Sequence, residues 1–378
     1  MRLMHLASFG GNIGDGANHR GMRRQFRSYV DPAAQFEQHE VRRFYKSWSL
    51  DRFDSNFVDK VNRHDALLIG GGNFFEICWD YSQTGCTIDF SQEVLDAIRV
   101  PVLVAGIGFD DTKGFTSETE SRFGAFLESL LRKKAKIIFR NDGSLTLLKR
   151  HYDDSILSRV SEMPDGGFFY EIPARRSPLG KRICFCVARD MANLRYTGED
   201  GYDHFVRKMG SWCDDFIEHH PDYSIVFVPH IYSDLSIIDD VLKSISDINR
   251  RLRVAVAPLC AVSPDAIDDT FSSYSGCDLV VSMRFHGNVV PIGNVIPTIG
   301  AVSLEKHQLL YQSIGLGDRF ISTTSSKFWE TLTEAIERSL TDQVRIRNEY
   351  AEVNKNLRER EKDAMLEIKQ WLADWRAL

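Results

Sequence analysis

Long apolar runs are missing from this chain of 378 residues: none approaches the roughly 20 consecutive apolar residues that a membrane-spanning helix requires. The opening MRLMHLASFGG holds too short an apolar stretch for a secretory signal and runs straight into glycines, so no cleaved leader is expected. Cysteine patterning is equally scarce. The seven cysteines form no CxxC pair and no zinc-type spacing, and Cys184 and Cys186 share one expected strand. Reduced thiols in a cytoplasmic protein are therefore the expectation. There is no surplus of positive charge, since 47 Lys and Arg face 53 Asp and Glu for a net −6. That balance argues against a general nucleic-acid binder. Neither a solenoid-length repeat nor a low-complexity segment occurs.

What is present is an ordinary globular composition, 43% hydrophobic and 26% charged, on a chain long enough for two cores. Arg2–Ser8 reads as a first strand, followed by the glycine-rich Phe9–Asn18 (FGGNIGDGAN) and a helix near Ala17–Tyr29. A strand, a glycine loop and a helix in that order suit an anion at the helix N-terminus. The loop is not a GxGxxG, and Asp15 would repel a pyrophosphate, so a dinucleotide site is not expected. Asn12 and Asp15 either hydrogen-bond a ligand or shape the turn. Ala66–Ile69 is a buried strand that ends in Gly70–Gly71–Gly72–Asn73 and then Phe74–Glu76. Val100–Ala105 repeats that pattern and ends at Gly106–Ile107–Gly108. A helix at Ser117–Lys134 and a strand at Lys136–Phe139 follow, the strand closing on Arg140–Asn141–Asp142.

Around Ala174–Lys181 the text becomes ARRSPLGK, basic and carrying Pro and Gly, and marks a domain boundary. A second α/β set opens with Arg182–Ala188, ending in Arg189–Asp190. It continues with a helix at Tyr202–His219, a strand at Ser224–Val228 ending in Pro229–His230, and a helix at Leu235–Arg250. A strand at Arg253–Pro258 and a helix at Pro264–Ser273 come next. The most informative stretch is Cys277–Lys306. Asp278–Met283 reads as a buried strand running into Arg284, Phe285 and His286, with a helix from Gly287. Pro297–Val302 is a second strand, ending in polar Ser303–Lys306. His286 and Lys306 thus leave the carboxyl ends of successive strands, where open α/β sheets place their ligands. From Lys327 onward the pattern is helical. The elements predict an α/β, GT-B-like fold: two Rossmann-like domains, 1–176 and 177–340, facing a cleft. A C-terminal helical tail, 341–378, is expected to pack back on the first domain. That plan alone implies no activity.

Four stretches carry a likeness to a known family: Asn12–Ile13–Gly14–Asp15, Gly70–Gly71–Gly72, Arg140 in FRND, and SMRFH (Ser282–His286) with Lys306 beyond it. IGLGDRF (Ile314–Phe320) fits the same pattern. Over nearly its whole length the chain resembles the polysaccharide pyruvyl transferases, which place a pyruvate ketal on a sugar using phosphoenolpyruvate. The chain departs from the family's pattern at Phe285, where a leucine is common, and at Gly287–Asn288. It departs again at Ser303–Leu304–Glu305, where a tyrosine or aspartate often precedes the lysine.

The resemblance implies pyruvyl transfer to a sugar of a bacterial-type cell-surface polysaccharide or its precursor. The first domain would then serve the acceptor and the second the donor. His286 becomes the general acid/base, a task to which histidine is suited at neutral pH. Arg140 would grip the donor's carboxylate or phosphate as a planar fork, and Lys306 would act as a compact charge on phosphate. Arg189 and Arg284 are second-rank donor contacts, each equally able to neutralise a neighbouring acid. Gly71, Gly72, Asn73, Glu76 and His230 join Asn12 and Asp15 as acceptor or loop candidates. No metal cage is expected, because His5, His19, His64 and His286 fall on different elements, and no cofactor beyond the donor is implied. A lipid-linked acceptor would draw the enzyme to the inner membrane face. The basic patches Arg23–Arg27, Arg42–Arg43, Arg132–Lys136 and Arg175–Lys181 either serve that purpose or are solvated faces. Two rival readings are a GT-B sugar-nucleotide glycosyltransferase and a non-catalytic glycan-binding relative. The acceptor sugar and the oligomeric state have no signature in the sequence.

Overall fold

A computed structural model of the protein describes residues 1–175, 179–196 and 201–377. Two six-stranded sheets organise it, and every strand pair in them is parallel. The first holds β1 (Arg2–Ala7), β2 (Gln35–Glu40), β3 (Ala66–Gly70), β4 (Val102–Ile107), β5 (Lys136–Arg140) and β6 (Ser161–Met163), in the order β2-β1-β3-β4-β5-β6. The second holds β7 (Lys181–Cys186), β8 (Tyr223–Phe227), β9 (Val254–Val256), β10 (Leu279–Ser282), β11 (Thr298–Val302) and β12 (Phe320–Ser322), in the order β9-β8-β7-β10-β11-β12. Strands β3, β4, β10 and β11 are wholly buried, as expected where helices cover both faces of a parallel sheet. That is why they read as unbroken apolar runs.

The chain divides into two compact units, one of residues 1–9, 21–166 and 357–378, the other of residues 10–20 and 167–356. This differs from the expected boundaries in three places. Residues 10–20 join the second unit, because Gly11 N–H donates to the Ala261 carbonyl at 2.5 Å and Ile13 N–H to the His230 carbonyl at 3.1 Å. The expected break at 176/177 lies outside the described residues, as does Arg176 of the Arg175–Lys181 patch. The division itself falls between Gly166 and Gly167. Finally, the tail is one 34-residue helix, Gln343–Arg376, that serves both units. Its first half belongs to the second unit, where the Tyr350 hydroxyl donates to the Thr298 carbonyl at 2.8 Å and Asn354 to that of Ile292 at 2.7 Å. Its last turns bury Ala364, Met365, Ile368 and Leu372 with Leu3, Met22 and Phe26 in the first unit's core.

Element ends differ from expectation where local bonds outweigh propensity. The first helix spans Ile13–Tyr29, starting inside the glycine loop. Strand β2 was not expected, since QFEQHE is polar, and it is an edge strand with no fully buried residue. The helix predicted at Leu235–Arg250 is two, Asp234–Ser244 and Asp247–Leu252. They part where Asp214 binds the backbone N–H and hydroxyl of Ser246 at 2.9 and 2.7 Å. Pro264–Ser273 shortens to a helix at Asp268–Phe271 and a 3-10 turn at Ser272–Tyr274. All seven cysteines are free thiols. Among the described residues no helix is long and apolar enough to cross a membrane.

Candidate functional site

In the second sheet, chain progression reverses between β7 and β10, which are neighbours although two strands separate them in sequence. Ligands of open α/β sheets gather outside the carboxyl ends of the strands at such a point. His286 lies just past β10, in the first turn of the helix Phe285–Gly293, and is 6% exposed. A helix start presents unbonded N–H groups and a partial positive charge. The helix Ile13–Tyr29 also begins beside this ring. Asn12 Oδ1 accepts the Gly14 N–H at 2.9 Å, and a Cβ on Gly14 would lie 2.4 Å from His286 Nδ1. The glycine is there because the imidazole occupies the space a side chain would need. Asp15 sits in the first turn of the same helix, complementing its dipole.

Lys306 follows β11 in the first turn of the helix Glu305–Ser313 and is 7% exposed. Asn288 ties this helix to that of His286. Its Nδ2 donates to the carbonyls of Arg284 at 2.8 Å and Ser282 at 3.3 Å, and its Oδ1 accepts the Tyr311 hydroxyl at 2.8 Å. Two departures from the family's pattern thus have packing reasons. Asn288 makes that buried link, and a Cβ on Gly287 would lie 2.2 Å from Ser282 Oγ.

Arg284 is committed elsewhere. Its Nε donates to Asp234 Oδ2 at 3.1 Å, its Nη2 to Asp234 Oδ1, and its Nη1 to Asp190 Oδ2 at 3.0 Å. Burial works against the guanidinium's charge, yet the two carboxylates more than offset it. For Asp190, burial alone would raise the carboxyl, while Arg284 and Arg195 bring it below the ordinary value. Arg195 in turn donates to the Met283 carbonyl at 3.1 Å, so this ionic ladder fixes the chain just before His286. Arg189 differs: its guanidinium lies 4.3 Å over the Tyr202 ring, and no carboxylate pairs with it among the described residues. His230 is interior, 1% exposed, with Nε2 2.9 Å from the Tyr274 hydroxyl. Burial first, then the charges of Arg284 and His286, hold it well below the usual imidazole value, so it is neutral.

The remaining sequence candidates belong to the first unit. Arg140 ends β5, 5% exposed, its Nε and Nη2 both on Asp142 Oδ2 at 2.9 and 2.7 Å and its Nη1 on Asp165 Oδ2 at 3.3 Å. The three glycines at the end of β3, Gly70 to Gly72, let strand ends cross closely. At Gly70 a Cβ would lie 1.9 Å from the Ala105 carbonyl, Gly71 N–H donates to that carbonyl at 3.2 Å, and the Gly72 carbonyl accepts Gly108 N–H at 2.8 Å. Asn73 Nδ2 donates to Glu76 Oε1 at 3.0 Å and to Asp110 Oδ2 at 3.1 Å. Among the described residues no group of three or more His, Cys, Asp or Glu side chains is placed to hold a metal ion.

The family model for polysaccharide pyruvyl transferase matches residues 12–303. The chain belongs to that family. No curated protein sequence matches it significantly. Among solved structures it is similar to a putative UDP-N-acetylglucosamine 2-epimerase from Listeria monocytogenes, at 13% identity and TM-score 0.55 over 93% of this chain and 90% of that one. It is also similar to S. aureus MnaA solved with UDP, at 10% identity and TM-score 0.54 over 90% of each chain. Anabaena HepE, solved with UDP and glucose, gives 11% identity and TM-score 0.54 over 100% of this chain and 99% of that one. At such identities the likeness is one of fold. This member of the family is accordingly an α/β, GT-B-like protein with two Rossmann-like sheets and a C-terminal helix.

Of the residues singled out from sequence in this family member, His286, Lys306, Arg189, Arg284, His230, Asn12 and Asp15 lie in the second unit. Arg140, Gly71, Gly72, Asn73 and Glu76 lie in the first. Sequence reasoning missed Tyr311 and Glu361, which sit mid-helix with no motif around them. Glu361 is fully buried beside Asp165, and neither carboxyl oxygen has a hydrogen-bond partner among the described residues. Burial, then the Asp165 charge, pushes its carboxyl well above the ordinary 4.5. A group raised on folding adds stability that is full below its unfolded value and is lost as pH climbs toward the folded one. Glu361→Gln, which keeps the shape without the titration, is therefore expected to be more stable than the parent at pH 8 and equal to it near pH 4. Thermal denaturation at the two pH values checks this; an equal difference at both would refute it.

Proposed function

We propose that the protein transfers pyruvate from phosphoenolpyruvate to two hydroxyls of a sugar as a ketal. The acceptor is a unit of a cell-surface polysaccharide or its lipid-linked precursor. The observation that carries the reading is the placing of His286 and Lys306 in the first turns of two consecutive helices at one sheet edge, tied by Asn288 and Tyr311. The donor carries a carboxylate and a phosphate, and helix N-termini with a lysine suit both. His286 protonates C3 of the enol ether, making C2 an electrophile. One sugar hydroxyl attacks C2 and gives up its proton, phosphate leaves C2 with its bonding electrons, and the second hydroxyl closes the ring. Of the two protons the diol releases, one replaces that spent on C3 and one goes to phosphate.

Among the arginines, Arg189 takes the first rank for donor phosphate, because no carboxylate among the described residues pairs with it, while Arg284 acts by holding the SMRFH turn in place. Mass spectrometry of candidate sugars after incubation with phosphoenolpyruvate tests the reaction. A ketal product with phosphate release is expected, and a thermal shift with nucleotide sugars but none with phosphoenolpyruvate would favour glycosyl transfer instead. Arg189→Ala and Lys306→Ala should each raise the phosphoenolpyruvate KM at least about tenfold, as loss of a charge-assisted contact implies. Unchanged donor kinetics in both would remove the assignment.

A further inference from the structure

Within the second unit, one face of the sheet carries a cavity of about 210 Å³. The edge strand β9, the 3-10 turn at Ser272–Tyr274, and Arg175 and Leu179 ahead of β7 bound it. Strand register explains its floor. Arg182 and Cys184 share a face of β7, Cys184 aligns with Val226 on β8, and Val226 aligns with Ala255 on β9. Val226, Ala255, Ala257 and Pro258 give the cavity an apolar wall, and Arg182 lines it from the same side. Arg182 is 5% exposed. Its Nη1 donates to the Gly180 carbonyl at 3.2 Å and its Nη2 to that of Ser275, and among the described residues no carboxylate pairs with the guanidinium. Asp278 approaches, but its Oδ2 accepts the Arg182 backbone N–H at 3.0 Å, and its charge also reaches Lys181. At the rim, Arg175 has Asp269 at 3.9 Å, with both side chains more than half exposed, and so loose a pair holds its arginine weakly. A guanidinium does not give up its proton, so Arg182 stays charged in the cavity wall. Carbonyl dipoles offset part of the cost of burying that charge, and an anion would offset the rest.

We propose that this cavity binds an amphiphilic oxyanion, a carboxylate or phosphate ester on a short apolar chain. Arg182 and Arg175 take its charged head, and the side chains of β8 and β9 cover its chain. Nothing in this site depends on the pyruvyl transfer proposed above. The volume equals the liquid share of about seven waters, room for a head group and a few methylenes. It falls below the range of about 300–1,000 Å³ usual for drug-sized ligands. Each methylene laid on the apolar wall leaves water, while the guanidinium fork matches the oxyanion. A neutral chain leaves Arg182 without a counter-charge, and a bare anion leaves the apolar wall wet. The place is distinct from that of His286. Asp278 N–H donates to the Arg182 carbonyl at 2.9 Å and Leu279 aligns with Ile183, so Arg182 lies at the amino edge of the parallel strands β7 and β10. His286 follows the carboxyl end of β10.

Titration calorimetry on the full chain tests the site with octanoate, hexyl phosphate, inorganic phosphate and octanol. At least one of the two amphiphilic anions is expected to bind, and the tighter of them tells a carboxylate head from a phosphate one. Inorganic phosphate and octanol should each bind at least about tenfold more weakly, because each lacks one half of the contact. Arg182→Met keeps the side chain's length without its charge and should weaken the anion at least about tenfold. Arg175→Glu alters only an exposed side chain, so the fold survives, and like charge at the rim should weaken the anion at least about fivefold. Should Arg182→Met fail to fold, Arg175→Glu decides alone. Phosphoenolpyruvate is expected not to displace the amphiphile; displacement would move it to the proposed donor site and overturn this one. Parent-like binding in both variants, octanol binding as tightly as the anions, or no binding of either amphiphile to the parent would overturn it as well.

Discussion

Replacing His286 by alanine is expected to lower turnover at least about a hundred-fold while the protein keeps its fold. A positioned general acid/base contributes about 10²–10⁴-fold, which sets the scale. The fold should survive because His286 sits at a helix start, with Asn288, two residues on, knitting that helix to β10 and to the helix of Lys306. Gly14→Ala probes the same ring from the other side. The added methyl would fall 2.4 Å from Nδ1, so the imidazole must turn away, and turnover should drop at least about tenfold with the histidine still present. Phosphate release and circular dichroism read the two effects separately. Near-parental turnover in His286→Ala would remove the acid/base assignment, and an inactive variant that is also unfolded would direct the test to Gly14→Ala alone.

The strands and the placing of His286 were legible in the sequence for one physical reason. A parallel strand buried on both faces must be apolar throughout, and the polar residues that end it must lie at the sheet's carboxyl edge. Ala66–Gly70, Leu279–Ser282 and Thr298–Val302 all obeyed that rule. Strand β2 escaped it as a polar edge. The start of the first helix was hidden for a different reason. Glycines at 14 and 16 read as a loop, but here they are spacers: a Cβ on Gly14 would strike His286 and one on Gly16 would crowd Ile267 and Pro264 at 3.1–3.2 Å. Contacts from residues about 250 to 270 positions away decided that helix, and no local pattern reports them. The partition of charge was likewise invisible. Arg189 and Arg284 both follow strands, yet only the folded chain shows Arg284 enclosed by Asp190 and Asp234 while Arg189 stacks on Tyr202.

That enclosure makes Asp234→Ala the substitution with the largest expected loss of stability. Asp234 is wholly buried, binds Arg284 through both oxygens, and accepts the backbone N–H groups of His230 at 3.0 Å and Ile231 at 3.2 Å. Removing it strands a buried guanidinium and three backbone donors at once, the Arg189 N–H, 3.4 Å from Oδ1, being the third. Breaking a buried pair by deleting one partner costs about 3–5 kcal/mol, and in a unit of this size that is a fall in Tm on the order of 10 °C. Arg284 keeps Asp190, which holds the estimate within that range. Asp234→Asn, which retains an acceptor for the N–H groups but not the charge, should fall between parent and alanine. Acid should act in the same direction. Asp190 is lowered on folding, so its share of the stability is full above the ordinary carboxylate value near 3.8 and is lost as pH falls through the folded one. Calorimetric melting of the three proteins at pH 7 settles the order. A Tm for Asp234→Ala within about 2 °C of the parent would show that the ladder before His286 is not held by this carboxylate.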